Sequence, residues 1–287
     1  MSTSPDPLFA SHPRDFQSNL YVYPVLSRRA GGISVGVNLN RDKLCNFHCA
    51  YCQVDRTETG RPEFVDLKRL GEELDWTVAM VASGRIFQDK QFGATPPSMR
   101  RLNDIAFSGD GEPTIYRNFA ETISVAAEVR RHHALDEVKL VLITNASLLH
   151  REHVRTGLEI LDRNNGEIWA KLDAGSEDYF RLIARSTVPY QQILDNIRQA
   201  AKIRPIVIQT LFMRINEQGP SADELTAYCR RLEEIVAAGG QIKLVQIYTV
   251  ARRPAEAWVS ALSKAEVDAL AETVRRLTAL PVAAFYG

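Results

Sequence analysis

From Gly31 onward, short apolar runs alternate with segments whose apolar positions return at helical spacing. The runs Ile33–Leu39, Asp104–Phe107, Val138–Ile143, Glu167–Leu172, Ile206–Phe212 and Ile242–Tyr248 are rich in Ile, Val and Leu, the composition of strands buried on both faces of a parallel sheet. Between them, Leu67, Leu70, Leu74, Val78 and Val81 mark one face of a helix, and Tyr190, Ile193, Leu194 and Ile197 mark another. Ser221 with Glu224, and Ser263 with Glu266, stand at capping-box spacing. The first pair precedes the stripe Leu225, Tyr228, Cys229, Leu232, Ile235 and Val236; the second precedes Val267, Leu270, Val274 and Leu277. Six βα units with right-handed crossovers follow from this pattern. Six are too few to close an eight-stranded barrel, so the predicted fold is α/β, a partial (βα)6 open barrel with its chemistry at the C-terminal strand ends. Residues 1–30, punctuated by Pro and Ser, read as an N-terminal extension to a core domain over residues 31–287.

Composition narrows the class of function. At 287 residues the chain is long enough to bury a full barrel core. Lys+Arg and Asp+Glu are 35 each, so the formal net charge is zero and exerts no global pull on nucleic acid or anionic membrane. The start, MSTSPDPLFASHPRDF, lacks a basic region followed by an apolar one, and no apolar run reaches the roughly 20 residues that span a bilayer. The expectation is a cytoplasmic protein without a membrane partner.

Three of the four cysteines fall in Leu44-Cys45-Asn46-Phe47-His48-Cys49-Ala50-Tyr51-Cys52, just after the first predicted strand. In a cytosolic chain such clustering favours metal over disulfides. Cys45, Cys49 and Cys52 at C-x3-C-x2-C spacing can hold three corners of a [4Fe–4S] cube and leave the fourth iron open to a chelating amine and carboxylate. Structural zinc is the competing reading, but it requires four tetrahedral ligands. His48 lies between two of the cysteines, and Cys229 sits on the apolar stripe of a distant helix, where core packing suits it better.

C-x3-C-x2-C after a first barrel strand resembles the signature of the radical S-adenosylmethionine (SAM) superfamily, and this gives the predicted barrel its type. The resemblance implies one [4Fe–4S] cluster on Cys45, Cys49 and Cys52, and SAM bound at the open iron. It implies that Tyr51, the aromatic residue before the third cysteine, lies near the adenine. The second strand leads into Ser108-Gly109-Asp110-Gly111-Glu112-Pro113, similar to the family's Gly-Gly-Glu-Pro segment that binds the SAM amino group. Asp110 stands where the first glycine is usual, so either Gly109 or Asp110 supplies the carbonyl, with Gly111 and Glu112 beside it. Thr144-Asn145 ends the third strand as a common family pair does, or else caps a helix; Asn145 is the candidate cofactor contact. Lys171 and Asp173 end the fourth strand on one side of it by period-two alternation, either meeting the ribose or carboxylate of SAM or pairing with each other. Arg252 and Arg253 after the sixth strand are either anion contacts or solvated surface.

The flanking words S-R-R-A-G-G, G-V-N-L-N and C-N-F-H-C-A-Y-C-Q look like the group that includes the wyosine-forming tRNA-modifying enzymes. Those carry further cysteines for a second cluster. Only Cys229 remains here, so no second cluster is expected. The implied activity is oxidoreductase chemistry: reductive cleavage of SAM to a 5′-deoxyadenosyl radical that takes hydrogen from a substrate the sequence leaves unidentified. The implied partners are a flavodoxin- or ferredoxin-type one-electron donor and the substrate, with tRNA as an alternative. Two rival readings stand beside it: a metal-stabilised nucleic-acid-binding module without catalysis, and a metal-free aldolase-like barrel with Lys171 as a Schiff base.

Overall fold

A computed structural model describes residues 16–54, 64–252, 254 and 256–286. Arg253 lies outside the described residues, as do residues 1–15 of the predicted extension. The elements run in chain order as β1 (Val22–Ser27), β2 (Gly32–Val37), α1 (Leu67–Ala82), β3 (Leu102–Phe107), α2 (Phe119–His132), β4 (Lys139–Thr144), α3 (Glu152–Asp162), β5 (Gly166–Lys171), α4 (Glu177–Ala184), α5 (Tyr190–Ile203), β6 (Ile206–Leu211), β7 (Arg214–Ile215), α6 (Ala222–Ala237), β8 (Ile242–Tyr248), β9 (Val259–Ser260), α7 (Lys264–Thr278) and β10 (Val282–Phe285). All six predicted strands are present, as β2, β3, β4, β5, β6 and β8. β1, β10 and the short β7–β9 ribbon add to them.

The chain divides into two compact units. The first draws on Met1–Leu44, Thr59–Ile143 and His150–Glu167. In it β1 pairs antiparallel with β2, and β2, β3 and β4 follow in parallel. Pro24 sits in β1, tolerated at the edge of this set because one strand face needs no N–H. Gly36 has no Cβ because the Tyr23 ring occupies that space at 2.4 Å. β2 is buried along its whole length, and Ile33, Val35, Val37, Ile105, Phe107, Leu140 and Leu142 form the core of this unit. Asp66 caps α1 by accepting from the Arg69 amide, and the helix buries the predicted Leu70, Leu74, Val78 and Val81.

The second unit draws on Cys45–Glu58, Thr144–Leu149 and Ile168–Gly287. Here β5, β6, β8 and β10 run parallel in that order. Cys229 is buried on α6, as its place on the stripe predicts. The Ser263–Glu266 capping box of α7 is complete. The Ser221–Glu224 box is only half made. Ser221 accepts from the Glu224 amide, but the Glu224 carboxylate turns away to hold the Gly175 and Ser176 amides and the Ser176 hydroxyl. Three backbone and hydroxyl donors in one loop, the Gly175 amide buried and those of Ser176 partly so, outcompete a single N-cap amide. Glu224 thereby fixes the loop that leaves β5.

Candidate functional site

The residues singled out by the sequence assemble into two clusters, one in each unit. In the first unit, the segments leaving β2 and β3 lock together. Asn38 accepts from the Asp110 amide at 3.0 Å and donates to the Asp110 carboxylate at 2.6 Å. Asn40 donates through one amide nitrogen to the carbonyls of Leu44 (3.0 Å) and Glu112 (3.1 Å). The Glu112 amide in turn donates to the Leu44 carbonyl at 3.1 Å. A Cβ on Gly111 would lie 1.9 Å from that carbonyl, and one on Gly109 would lie 2.1 Å from Asn38 Oδ1. Both glycines therefore serve close packing of the two loops, which fixes the peptide just before Cys45.

Glu112 is buried at 2% exposure. Its Oε1 accepts from the amide and hydroxyl of Thr114, capping the turn at Pro113. The Oδ1 of Asn40, also buried, accepts no hydrogen bond among the described residues. A buried acceptor without a donor is costly. It fits a site that receives a donor-bearing ligand, as the ammonium end of an amino acid would be.

In the second unit, the cysteine loop is docked on the end of α4. The amides of His48 and Ala50 donate to the carbonyls of Ala184 (3.0 Å) and Ile183 (2.8 Å), and Phe47 meets Phe180 edge-on at 5.7 Å. Asn46 donates to the Ser147 hydroxyl at 2.8 Å, and the Ser186 hydroxyl donates to the Asn46 carbonyl. Asn145, at the exit of β4, donates to Asn46 Oδ1 at 2.8 Å and approaches Cys45 Sγ at 3.9 Å. Cys45, Cys49 and Cys52 are half-buried and joined in no disulfide, and the His48 side chain is exposed.

Beside this loop stands a charged cluster. Asp173 takes the Tyr51 hydroxyl on Oδ2, and the Leu211 amide (2.7 Å) and Lys171 Nζ (3.0 Å) on Oδ1. Lys171 also donates to the Tyr248 hydroxyl at 2.7 Å, and its ammonium faces the rings of Tyr51 and Tyr248 at 5.1 and 4.9 Å. Burial pulls the Lys171 pKa down, but Asp173 and Tyr248 outweigh it and hold the amine above its ordinary value. Burial, then the Asp173 carboxylate, pushes the Cys49 thiol up to about 12. Three thiolates on this loop would need a compensating cation, and iron would supply it while displacing their protons. The donor set thus fits an iron–sulfur cluster.

Sequence alternation put Lys171 and Asp173 together, and they are ion-paired. Tyr51 and Tyr248 complete the group; nothing in the pattern of the chain pointed to Tyr248. Gln209 and Gln246 stand in register with Lys171 on β6 and β8. They are buried and bonded to each other at 2.9 Å, with Gln209 Oε1 unpartnered among the described residues. Asn38 and Asn40 were also missed as site residues. Their signal was the period-two placement of two amides at the end of a buried strand, G-V-N-L-N.

The profile of the radical SAM superfamily matches residues 43–222, which include the cysteine loop, Glu112, Asn145, Lys171 and Asp173. The chain belongs to this superfamily. Among solved structures it is similar to TYW1 with a lysine–pyruvate adduct bound, at 16% identity and a TM-score of 0.54 over 86% of this chain and 74% of that one. It is similar also to an archaeal TYW1, at 15% identity and 0.53 over 87% and 73%. The fold is accordingly the partial α/β barrel of the radical SAM type, as predicted. TYW1 belongs to the wyosine-forming group that the flanking words resemble.

Among curated proteins, a GTPase Obg of Brachyspira hyodysenteriae is 23% identical over 85% of this chain and 32% of its own length. UPF0026 proteins of Methanocaldococcus jannaschii and Helicobacter pylori are each 28% identical, over 61% and 48% of this chain and 46% and 39% of their own lengths. The chain thus spans between about a third and a half of these relatives. It contains no G-x-x-x-x-G-K-[ST] phosphate loop. Among the described residues, no helix is long and apolar enough to cross a membrane.

Proposed function

We propose that the chain holds one [4Fe–4S] cluster through Cys45, Cys49 and Cys52, binds SAM, and uses them to abstract hydrogen from a substrate. When bound, these two groups supply reductive cleavage of SAM to a 5′-deoxyadenosyl radical and methionine. The observation that carries the reading is the thiol triad on a loop anchored by Asn46, Asn145 and α4, with no fourth thiol on the loop. Glu112 and the carbonyl of Gly109 or Asp110 would receive the SAM ammonium, with Asn40 Oδ1 as a further acceptor. Tyr51 flanks the adenine. Asp173 and Lys171 orient the ribose or carboxylate end. The electron comes from a flavodoxin- or ferredoxin-type donor in the cytoplasm. Anaerobic reconstitution tests the cluster: about four iron and four sulfide should load per chain. Cys45→Ala, Cys49→Ala or Cys52→Ala should abolish loading, and Cys229→Ala should not. Full loading in Cys49→Ala refutes the assignment.

A second reading concerns Lys171, because one structural neighbour contains a lysine–pyruvate adduct. A Schiff base requires a free amine. Here Asp173 and Tyr248 hold the Lys171 amine protonated, so its role in this arrangement is that of a fixed cation. The fold likeness to TYW1 makes a tRNA base the first substrate class to try, although the zero net charge adds no long-range attraction to it.

A further inference from the structure

A second cluster of metal-ligating side chains lies in the first unit and shares no residue with the sites described above. Asp75 projects from α1, while His132 ends α2 and His133 caps it. His132 Nδ1 lies 3.0 Å from Asp75 Oδ1, and His133 Nε2 lies 2.9 Å from the same oxygen. All three ligand atoms fall within 4.8 Å of one another.

Consecutive helical residues diverge by about 100° and do not face one another. Convergence of two adjacent imidazoles on one point is therefore not what helical geometry delivers by default. It is reached here because one ring presents Nδ1 and the other presents the more distant Nε2. The two nitrogens and one carboxylate oxygen form a compact donor triangle, with solvent on the outer side: the side chains of His132, Asp75 and His133 are 74, 46 and 20% exposed.

We propose that Asp75, His132 and His133 form a binding site for one divalent transition-metal ion of the zinc type, with water completing the coordination. Imidazole nitrogens with a single carboxylate select such ions over magnesium or calcium, which take oxygen ligands. Tetrahedral zinc–nitrogen and zinc–oxygen bonds near 2.0–2.2 Å place neighbouring donors about 3.4 Å apart. The His132 and His133 nitrogens therefore have to withdraw from Asp75 by about 0.4 and 0.5 Å and settle about 3.4 Å from each other, which rotation of partly exposed side chains provides. The site also sits at the C-terminal end of α2, where unpaired carbonyls favour a cation. A metal here ties α1 to α2. The proposal is independent of the cluster and SAM reading.

The test uses chain loaded anaerobically with its cluster, so that the cysteines are occupied, and titrates it with zinc chloride against a chromophoric chelator. One saturable site per chain is expected. Asp75→Asn, which keeps a hydrogen-bond acceptor and the fold but removes the anionic ligand, should weaken zinc binding at least tenfold, and His133→Ala likewise. At a hundredfold excess over the parent's Kd, zinc should raise the melting temperature by roughly 5 °C in the parent and by about half that or less in the variants. Zinc X-ray absorption should give nitrogen and oxygen neighbours near 2.0–2.1 Å. No saturable binding, equal affinity in Asp75→Asn, or sulfur neighbours near 2.3 Å overturns the proposal.

Discussion

Asp173→Asn is the most discriminating single change in the charged cluster. Asparagine has nearly the same shape. Its carbonyl oxygen can still accept from the Leu211 amide, and its amide can donate to a Tyr51 hydroxyl that has turned to accept. The hydrogen-bond network can therefore be largely retained, and what is lost is the negative charge beside Lys171. Both partners are mostly buried, 17% exposed for Lys171 and 11% for Asp173. Removing one member of a buried pair costs about 3–5 kcal/mol, because the other charge is left uncompensated. Lys171 keeps the Tyr248 hydroxyl and two aromatic faces, which are worth roughly 0.5–2 kcal/mol together as cation contacts. The net expectation is a loss of about 1–4.5 kcal/mol, at roughly 2–4 °C of melting temperature per kcal/mol. Chemical denaturation of the parent, Asp173→Asn, Lys171→Met and the double variant gives the coupling directly. The double variant should regain at least about 1 kcal/mol relative to the sum of the single changes, since a buried neutral pair leaves no stranded charge. Asp173→Asn within about 0.5 kcal/mol of the parent, together with additive effects, would refute the reasoning.

Glu112→Ala should weaken SAM binding about 10- to 100-fold by calorimetry and leave iron content unchanged, as the loss of a charge-assisted hydrogen bond and not of a metal ligand. Asp104 makes a pH prediction. Burial in β3 raises its carboxyl from the ordinary 3.8 to about 6, against the lowering effect of the Ser34 hydroxyl and Lys139. The folded chain then holds this proton more tightly than the unfolded chain, so its contribution to stability is full below about pH 4 and is lost as pH rises to about 6, by about 3 kcal/mol. Asp104→Asn should flatten that slope in denaturation curves taken across the window; an unchanged slope contradicts the assignment.

The cysteine triad was legible because its spacing is local and its chemistry is particular to a few residue types. Lys171 and Asp173 were legible for a different reason: two charged residues at period-two spacing on an apolar strand end have few stable destinations. β1 was not legible, since Pro24 and polar neighbours hide an edge strand whose pairing comes from the next strand rather than from its own pattern. The role of Asn38 and Asn40 was hidden because an amide shows its value only when two distant loops arrive to be joined. The reason for glycine at positions 109 and 111 was hidden in the same way, since a Cβ there would meet Asn38 and the Leu44 carbonyl. Glu224 was read as a helix cap and instead secures the loop after β5, a contact 49 residues away for which no local signal exists. Tyr248 gained its place only through the Lys171 ammonium.

The central claim is that the chain cleaves SAM reductively, and the most direct measurement is 5′-deoxyadenosine formation under anaerobic conditions. Cluster-loaded chain, SAM and dithionite should release 5′-deoxyadenosine and methionine in equal amounts, and Cys49→Ala should release neither. A fully loaded chain that yields no 5′-deoxyadenosine above the Cys49→Ala background, with either dithionite or reduced flavodoxin as the electron source, would contradict the account.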